Sequence, residues 1–502
     1  MSKYYLTTTL PYVNAKPHIG FALEIIQADV LARYHMLKGD EVIFNTGTDE
    51  HGIKIYRKAQ EEGKDPQAYC DEYAGKFDAL KQALNLSYNK FIRTTDPDHM
   101  KAAQEFWKLC EKNGDIYKKK YQVKYCVGCE LEKTDSELVD GRCPVHPNLE
   151  LELIDEENYF FRFSKYQQSL LDLYDKNPDF VVPKNRQLEI RNFVASGLQD
   201  FSVSRLKSKM PWGIPVPGDE DQVMYVWFDA LVNYISTLGW PKGKKFKEFW
   251  PGYQVAGKDN LRQQSAMWQA MLMSAGLPPS KQVFIHGFIT SGGQKMSKSL
   301  GNVIDPFEMV QKFGTDSLRY YLLGALPAYD DGDVTDEKFK EFYGAHLANG
   351  IGNLNSRILT MLENYCDGEI PENKKYLITI DWTTDFWKKL PSLVDNYNFG
   401  QVINMIGGIV AIADHLISEQ KPWEKAKKGE DISGLLYQLA EALRHIGVAL
   451  LPIMPTTAEK ILSQFGIKVD WKKFDWEGAT KWGGLKPGTK IKKSEALFPR
   501  LG

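Results

Sequence analysis

Long apolar runs are missing from this chain: nowhere do 18 apolar residues follow one another, which predicts no ordinary membrane span. The first residues, Met1-Ser2-Lys3, lead directly into a strand-like segment without a signal-peptide pattern. Cysteine is scarce, 6 in 502 residues, too few for a disulfide scaffold, so a reducing, cytoplasmic setting is expected. An excess of one charge is also lacking, since 63 basic and 65 acidic side chains leave a net charge of −2. That balance argues against a generally adhesive nucleic-acid binder, so any RNA contact must come from local patches and shape. Lys118-Lys119-Lys120, Lys242-Gly243-Lys244-Lys245 and Lys425 to Lys428 are such patches, although each alone reads as a solvated face. No Walker-type Gly-x4-Gly-Lys-Ser/Thr occurs, which excludes a P-loop, and no internal repeat or low-complexity tract is present. What is there is ordinary for a globular chain, 43% hydrophobic and 25% charged, with a length suited to about three domains.

The informative stretch runs from Phe284 to Pro306. An apolar, strand-like run from Val283 to Ile289 enters a Ser291-Gly292-Gly293 turn, and Lys295 and Lys298 follow three residues apart. Two cations on a glycine-hinged loop suit a segment that closes over polyphosphate and meets charge as it develops. Nearer the start, Lys3 to Thr9 reads as a buried strand. Leu10 to Pro17 forms a loop, and Leu23, Ile26, Val30, Tyr34 and Leu37 mark a helix from His18 to Lys38 closed by Gly39. A second strand, Glu41 to Asn45, completes a strand-helix-strand unit of a parallel, nucleotide-binding sheet. Pro17-His18-Ile19-Gly20-Phe21 stands at the helix head, where anions are attracted and Gly20 lets a flat base approach the backbone.

Lys295-Met296-Ser297-Lys298-Ser299 resembles the signature loop of class I aminoacyl-tRNA synthetases, and His18-Ile19-Gly20 resembles their other signature, with Phe21 where a second histidine is usual. Leu10 to Asn14, Thr46-Gly47-Thr48-Asp49-Glu50-His51-Gly52 and Tyr225 to Tyr234 are similar to the methionyl-tRNA synthetase family, of the type with a single zinc knuckle. An unbranched thioether gains from aromatic ring edges, and Tyr12, Trp227 and Tyr234 supply rings. The resemblance implies a methionine pocket of Leu10, Tyr12, Asp49, Trp227, Ala230, Tyr234 and Gln264, with Asp49 on the substrate ammonium. Gly257-Lys258-Asp259 matches the family, but Gln263-Gln264 replace a hydrophobic-histidine pair. Glutamine still donates and accepts hydrogen bonds.

A second cluster lies in an insertion over about residues 116–225. Cys126 and Cys129, then Cys143 and His146 after thirteen intervening residues, give two x2-spaced pairs of soft ligands. That is the order of a closed tetrahedral site, so one structural zinc per chain is expected, whereas a redox Cys-x-x-Cys would explain neither Cys143 nor His146. Cys70, Cys110 and Cys366 read as packing residues. The insertion is too short for the large editing domain of synthetases for branched aliphatic amino acids.

Helices are predicted at Pro306 to Phe313 and Asp316 to Leu323, and beyond Thr335 the pattern is wholly helical: Glu337 to Leu362, Asp385 to Asn396, Phe399 to Glu419, Ser433 to Leu451 and Pro455 to Phe465. Asn353 and Arg357 share a helix face, and Trp423 follows the third of these helices. Such residues read base edges and stack unpaired bases, and the resemblance implies that all three read the anticodon.

The expected fold is thus α/β, a Rossmann-like parallel sheet split by a zinc-binding insertion and followed by an α-helical anticodon-binding bundle. Its divisions are residues 1–115 and 226–300 for the catalytic halves, 116–225 for the insertion, 301–335 for a stem-contact linker and 336–502 for the bundle. The resemblance implies a ligase that joins methionine to tRNA(Met), with magnesium accompanying ATP. His18, Lys295 and Lys298 would be catalytic, and Pro17, Gly20, Phe21, His286, Gly287, Phe288 and Lys298 would bind ATP. No appended barrel-like domain follows Gly502, so a monomer is expected. A synthetase for cysteine or leucine and a non-catalytic RNA-binding relative are the alternatives.

Overall fold

A computed structural model of the chain describes residues 2–129, 131–133, 135–296, 301–372, 383–493 and 495–501. Its centre is a sheet of β1 (Lys3–Thr8), β2 (Glu41–Thr48), β3 (Lys90–Arg93), β4 (Val181–Val182), β5 (Tyr253–Gly257) and β6 (Gln282–His286). The spatial order is β3-β2-β1-β5-β6-β4, and every pairing is parallel. β1 and β2 are buried along nearly their whole length, which is why they read as continuous runs without alternation. Leu6 pairs with Phe44 on one side and Tyr253 on the other. Helix α1 (Ile19–Leu37) packs on this sheet with Leu23, Ile26, Val30, Tyr34 and Leu37 all buried. Gly39, at a φ of +86°, turns the chain back into β2. The strand order reverses between β1 and β5, so the loops leaving their carboxyl ends part there and open a crevice.

Between β3 and β5 the chain builds two small antiparallel sheets. The long strand Ile116–Cys126 pairs with Leu131–Lys133 and Glu152–Phe161, and Ser204–Leu206 pairs with Asp219–Met224. Within the expected insertion of 116–225, β4 returns to the edge of the central sheet beside β6. Lys118 is spoken for by Asp219 at 2.6 Å, which removes one charge from that basic run.

The run expected as one strand from Val283 to Ile289 is broken after His286. A Cβ on Gly287 would lie 2.2 Å from the backbone of Asp330, so only glycine lets these segments touch, and Ile289–Ser291 then joins a separate small sheet. Likewise the helix expected from Glu337 to Leu362 opens into a π-helical stretch, Tyr343–Gly352, before Asn353–Tyr365 resumes α geometry. The remaining helices, Thr384–Asp395, Phe399–Gln420, Ser433–Leu450 and Pro455–Gln464, form the expected bundle. Phe399–Lys427 is, among the described residues, the one helical stretch long and apolar enough by length and composition to cross a membrane. Its Val402, Ile403, Ile406, Ile409, Val410 and Ala413 belong to the bundle core.

The bundle is bolted to the sheet by buried polar and aromatic contacts. Arg319, fully buried, donates to the carbonyls of Leu84, Pro452 and Ile453 and lies 2.7 Å from Asp29 of α1. Phe284 of β6 stacks on Tyr397 at 4.0 Å between ring centroids.

Candidate active site and metal centre

The loops at the carboxyl ends of β1, β2, β5 and β6 carry most of the expected site. His18 is the N-cap of α1, and its Nδ1 accepts the Gly20 N–H at 3.1 Å. An Nδ1 that accepts is unprotonated, and burial holds the His18 pKa below the ordinary histidine value. The second nitrogen is therefore left to donate outward from the helix head. His18 and Asp259 both reach solvent while protein crowds them on most sides, as in the walls of a crevice. Burial, and Glu24 next, raise the Asp259 carboxyl above the usual range.

The lysine loop brackets this helix head. Ile19 N–H donates to Ile304 O at 3.0 Å, and the Cβ position on Gly20 lies 3.9 Å from Met296 Cε. Lys295, exposed, stands 5.7 Å from the Phe288 ring. Lys298, together with Ser297, Ser299 and Leu300, lies outside the described residues.

Three expected nucleotide-binding residues also make contacts within the protein. Phe21 points into the core, edge-on to Phe77 at 5.5 Å, so this side chain packs where a histidine was usual. His286 is buried and bonded at both nitrogens: Nδ1 donates to Gly287 O at 2.8 Å, and Nε2 lies 3.1 Å from Glu24 Oε2. Nδ1 carries a hydrogen in that arrangement, and the Glu24 carboxylate raises the His286 pKa against the cost of burial. The Phe288 N–H is bonded to Asp331 at 2.8 Å. Pro17 is buried beneath the helix head. Glu24 also accepts from the Thr9 N–H at 2.8 Å, so it ties the ends of β1 and β6 to α1. Sequence reasoning passed over Glu24 because an acidic residue in mid-helix carries no local signal.

In the loops after β1 and β2, Tyr12 and Asp49 form a parallel bridge, secured by Asp49 N–H to Pro11 O at 3.0 Å and Val13 N–H to Asp49 O at 3.3 Å. Asp49 is buried, while Leu10, Tyr12, Trp227 and Ala230 are half-buried. Tyr234 is buried, and its hydroxyl accepts from Gln264 Nε2 at 2.6 Å. The glutamine that replaces histidine thus holds an aromatic wall. Trp268, which sequence analysis missed, stands edge-on to Tyr234 at 5.9 Å. It lies four residues past Gln264 on a helical stretch, and that spacing was the available signal. Behind the pocket, buried Asp229 lies 3.1 Å from His51 Nδ1, and His51 and His99 help hold its carboxyl below the usual range against burial. Trp212 Nε1 donates to Glu50 O at 2.6 Å and so braces the loop that carries Asp49.

The four expected metal ligands come together. One ligand atom each from Cys126, Cys129, Cys143 and His146 lies within 4.8 Å of all the others. Cys129 Sγ is 3.4 Å from Cys143 Sγ and 3.2 Å from His146 Nδ1. Three sulfurs and an imidazole at these separations fit a closed tetrahedral site of the zinc type. Burial, followed by Lys54 and Lys295, lowers the His146 pKa and favours the neutral, ligating form. A Cβ on Gly128 would meet the His146 ring at 2.5 Å, so glycine is required between the first two ligands.

In the bundle, Asn353 is exposed and Arg357, one turn on, is paired with Asp414 of the neighbouring helix at 2.6 Å. Trp423 is half-buried against the bundle core on the short helix Pro422–Lys427.

A family model described as tRNA synthetases class I (M) matches residues 4–150 and 148–359. A methionine--tRNA ligase of Thermosynechococcus vestitus is 42% identical, with 100% of this chain and 98% of the relative covered. One from Brucella suis is 41% identical, with 99% and 98% covered. The solved Mycobacterium tuberculosis methionyl-tRNA synthetase in complex with methionyl-adenylate superposes with a TM-score of 0.94 at 35% identity, covering 100% of both chains. The apo form of that synthetase superposes with a TM-score of 0.86 at 32% identity, covering 100% of this chain and 99% of its own. With paired nucleotide signatures, an aromatic pocket and a likeness along its whole length, the chain belongs to the class I tRNA synthetases, in the methionine--tRNA ligase family.

Proposed function

We propose that this chain activates L-methionine with ATP to methionyl-adenylate and then transfers the methionyl group to the terminal ribose of tRNA(Met). The observation that carries this reading is the meeting of the helix head with the start of the lysine loop, Met296 beside Gly20, on the same strand-end loops that carry the Tyr12–Asp49 bridge. A nucleotide between them is held from both sides, and an amino acid on the Asp49 side is presented to its phosphate.

The chemistry follows from positioning and charge. Asp49 pairs with the methionine ammonium, and the rings of Tyr12, Trp227, Tyr234 and Trp268 surround its thioether, with Leu10 and Ala230 filling the remaining wall. The methionine carboxylate attacks the α-phosphorus and pyrophosphate leaves. His18 donates to the phosphates from the helix head, and Lys295 and Lys298 neutralise the departing pyrophosphate. Pro17 and Gly20 leave room for the adenine, whose other edge runs along the backbone at Gly287 and Phe288, while His286 braces that backbone through Glu24. Magnesium bound with ATP adds charge compensation at the phosphates. The terminal ribose hydroxyl of the tRNA then attacks the carbonyl carbon and AMP leaves.

Zinc held by Cys126, Cys129, Cys143 and His146 would be structural, because four protein ligands would fill its coordination. Residues 116–225 then sit over the acceptor end of the tRNA, 301–335 over its inner stem, and Asn353, Arg357 and Trp423 at the anticodon. Such an enzyme works as a cytoplasmic monomer. Amino-acid-dependent pyrophosphate exchange, run over all twenty amino acids, tests the reading. Exchange with methionine alone is the expected result, and exchange with another amino acid, or with none, overturns it.

A further inference from the structure

Lys54 joins the turn of the metal cluster to the methionine pocket. Lys54 is the second residue of the helix Ile53–Glu61, which starts directly after the loop bearing Asp49. Its Nζ donates to the carbonyl oxygen of Gly128 at 2.8 Å and stands 5.5 Å from the centroid of the Tyr12 ring. Gly128 is no ordinary acceptor. It sits between ligands Cys126 and Cys129 and beneath the ring of His146, so the direction of its carbonyl is set by the closed cluster. Tyr12, in turn, is bridged through its backbone to Asp49.

Two weaker ties run the same way. Arg57, on the same helix as Lys54, lies 3.3 Å from Glu152, and Arg262, two residues before Gln264, lies 3.6 Å from Glu137. Both are exposed ion pairs of small energy, so they locate the lobe without fixing it. Lys54 is half-buried, makes a charge-assisted bond to a backbone oxygen and faces an aromatic ring.

We propose that Lys54 is a positioning residue for methionine: by linking the Gly128 carbonyl of the metal-binding turn to the Tyr12 ring, it makes the shape of the pocket depend on an intact knuckle. When the turn loosens, the ammonium group of Lys54 loses its acceptor. Tyr12 then loses the cation against its face, one of the contacts that orient its ring beside Asp49. The partners of Lys54, Gly128 O and the Tyr12 ring, are not among the groups proposed to hold ATP, so ATP binding should be unchanged. The inference rests on the methionine pocket proposed above.

The test compares wild type with Lys54→Met, which keeps the aliphatic stem, and Lys54→Arg, which keeps the charge and the donor. Methionine binding is measured by equilibrium dialysis with and without chelator treatment, zinc content by elemental analysis, and the Km of each substrate by pyrophosphate exchange. Lys54→Met should retain one zinc per chain and bind methionine about tenfold more weakly, the scale of one hydrogen bond plus one cation–π contact, with an unchanged Km for ATP. Lys54→Arg should recover most of that loss. Stripping zinc should weaken methionine binding in wild type and add little in Lys54→Met. Wild-type methionine affinity in Lys54→Met, or an equal effect of zinc removal in both proteins, overturns the role of Lys54 while leaving the pocket standing. A wild-type protein that binds no methionine overturns both.

Discussion

Replacing Arg319 by methionine should separate the bundle from the catalytic sheet. The guanidinium is fully buried and meets Ile453 O at 2.8 Å, Leu84 O and Pro452 O at 3.0 Å, and Asp29 at 2.7 Å. Asp29 would keep Arg33 at 2.8 Å and the Ser87 hydroxyl at 2.6 Å, so its charge stays paired after the substitution. The loss falls on the carbonyls of Leu84, Pro452 and Ile453, since Asn85 O, 3.4 Å from the guanidinium, keeps Arg33 at 2.6 Å. Stranding buried carbonyl acceptors costs about 1–3 kcal/mol apiece, so about 3 kcal/mol or more together. For a bundle of this size that corresponds to a fall in melting temperature of about 10 °C. Scanning calorimetry should show the bundle melting earlier in Arg319→Met, with the catalytic half little changed. Methionine-dependent pyrophosphate exchange should persist while tRNA charging falls, because only charging needs both ends of the molecule in register. A variant that melts within 1 °C of wild type would refute the assignment of Arg319 as the clamp between the two halves.

Cys126→Ala should lose zinc and open residues 126–146 to protease, whereas a variant as zinc-loaded and protected as wild type would show that Cys126 is not a metal ligand. Trp423→Ala should lower tRNA charging by about tenfold or more, on the scale of one lost base stack, and leave amino-acid activation intact. Equal loss in both assays would mean that the anticodon lies elsewhere. His18 supplies a pH test. Its folded pKa is depressed, so protonation opposes the folded cap: the Nδ1 bond is complete above the ordinary histidine value and is lost as pH falls through the lowered one. His18→Asn keeps a capping side chain without a titrating group, so the acid limb of the exchange rate below about pH 6.5 should be absent in that variant. An unchanged acid limb would assign it to another group.

Local chemistry was readable in the order of residues. Two cysteine-type pairs with the right spacing, a glycine that ends a helix, a histidine at a helix head and a continuous apolar strand each declare themselves within a few neighbours. The structure puts Gly39 at a positive φ, His18 at the N-cap and all four ligands in one cluster, as that reading requires. Partners distant along the chain were beyond it. His286 finds Glu24 across 262 positions, Lys54 finds Gly128 across 74, and β4 joins β6 across the base of an insertion that sequence boundaries had set apart. Phe21 turns inward because Phe77 is there to receive it, and Gly287 breaks a strand because Asp330 crosses beneath it. Spacing along a helix or turn is governed by the backbone's own geometry, so the sequence alone determined which groups could act. Which atoms are left facing the crevice depends on the order of the strands and on what packs behind each side chain, and that only the tertiary structure decided.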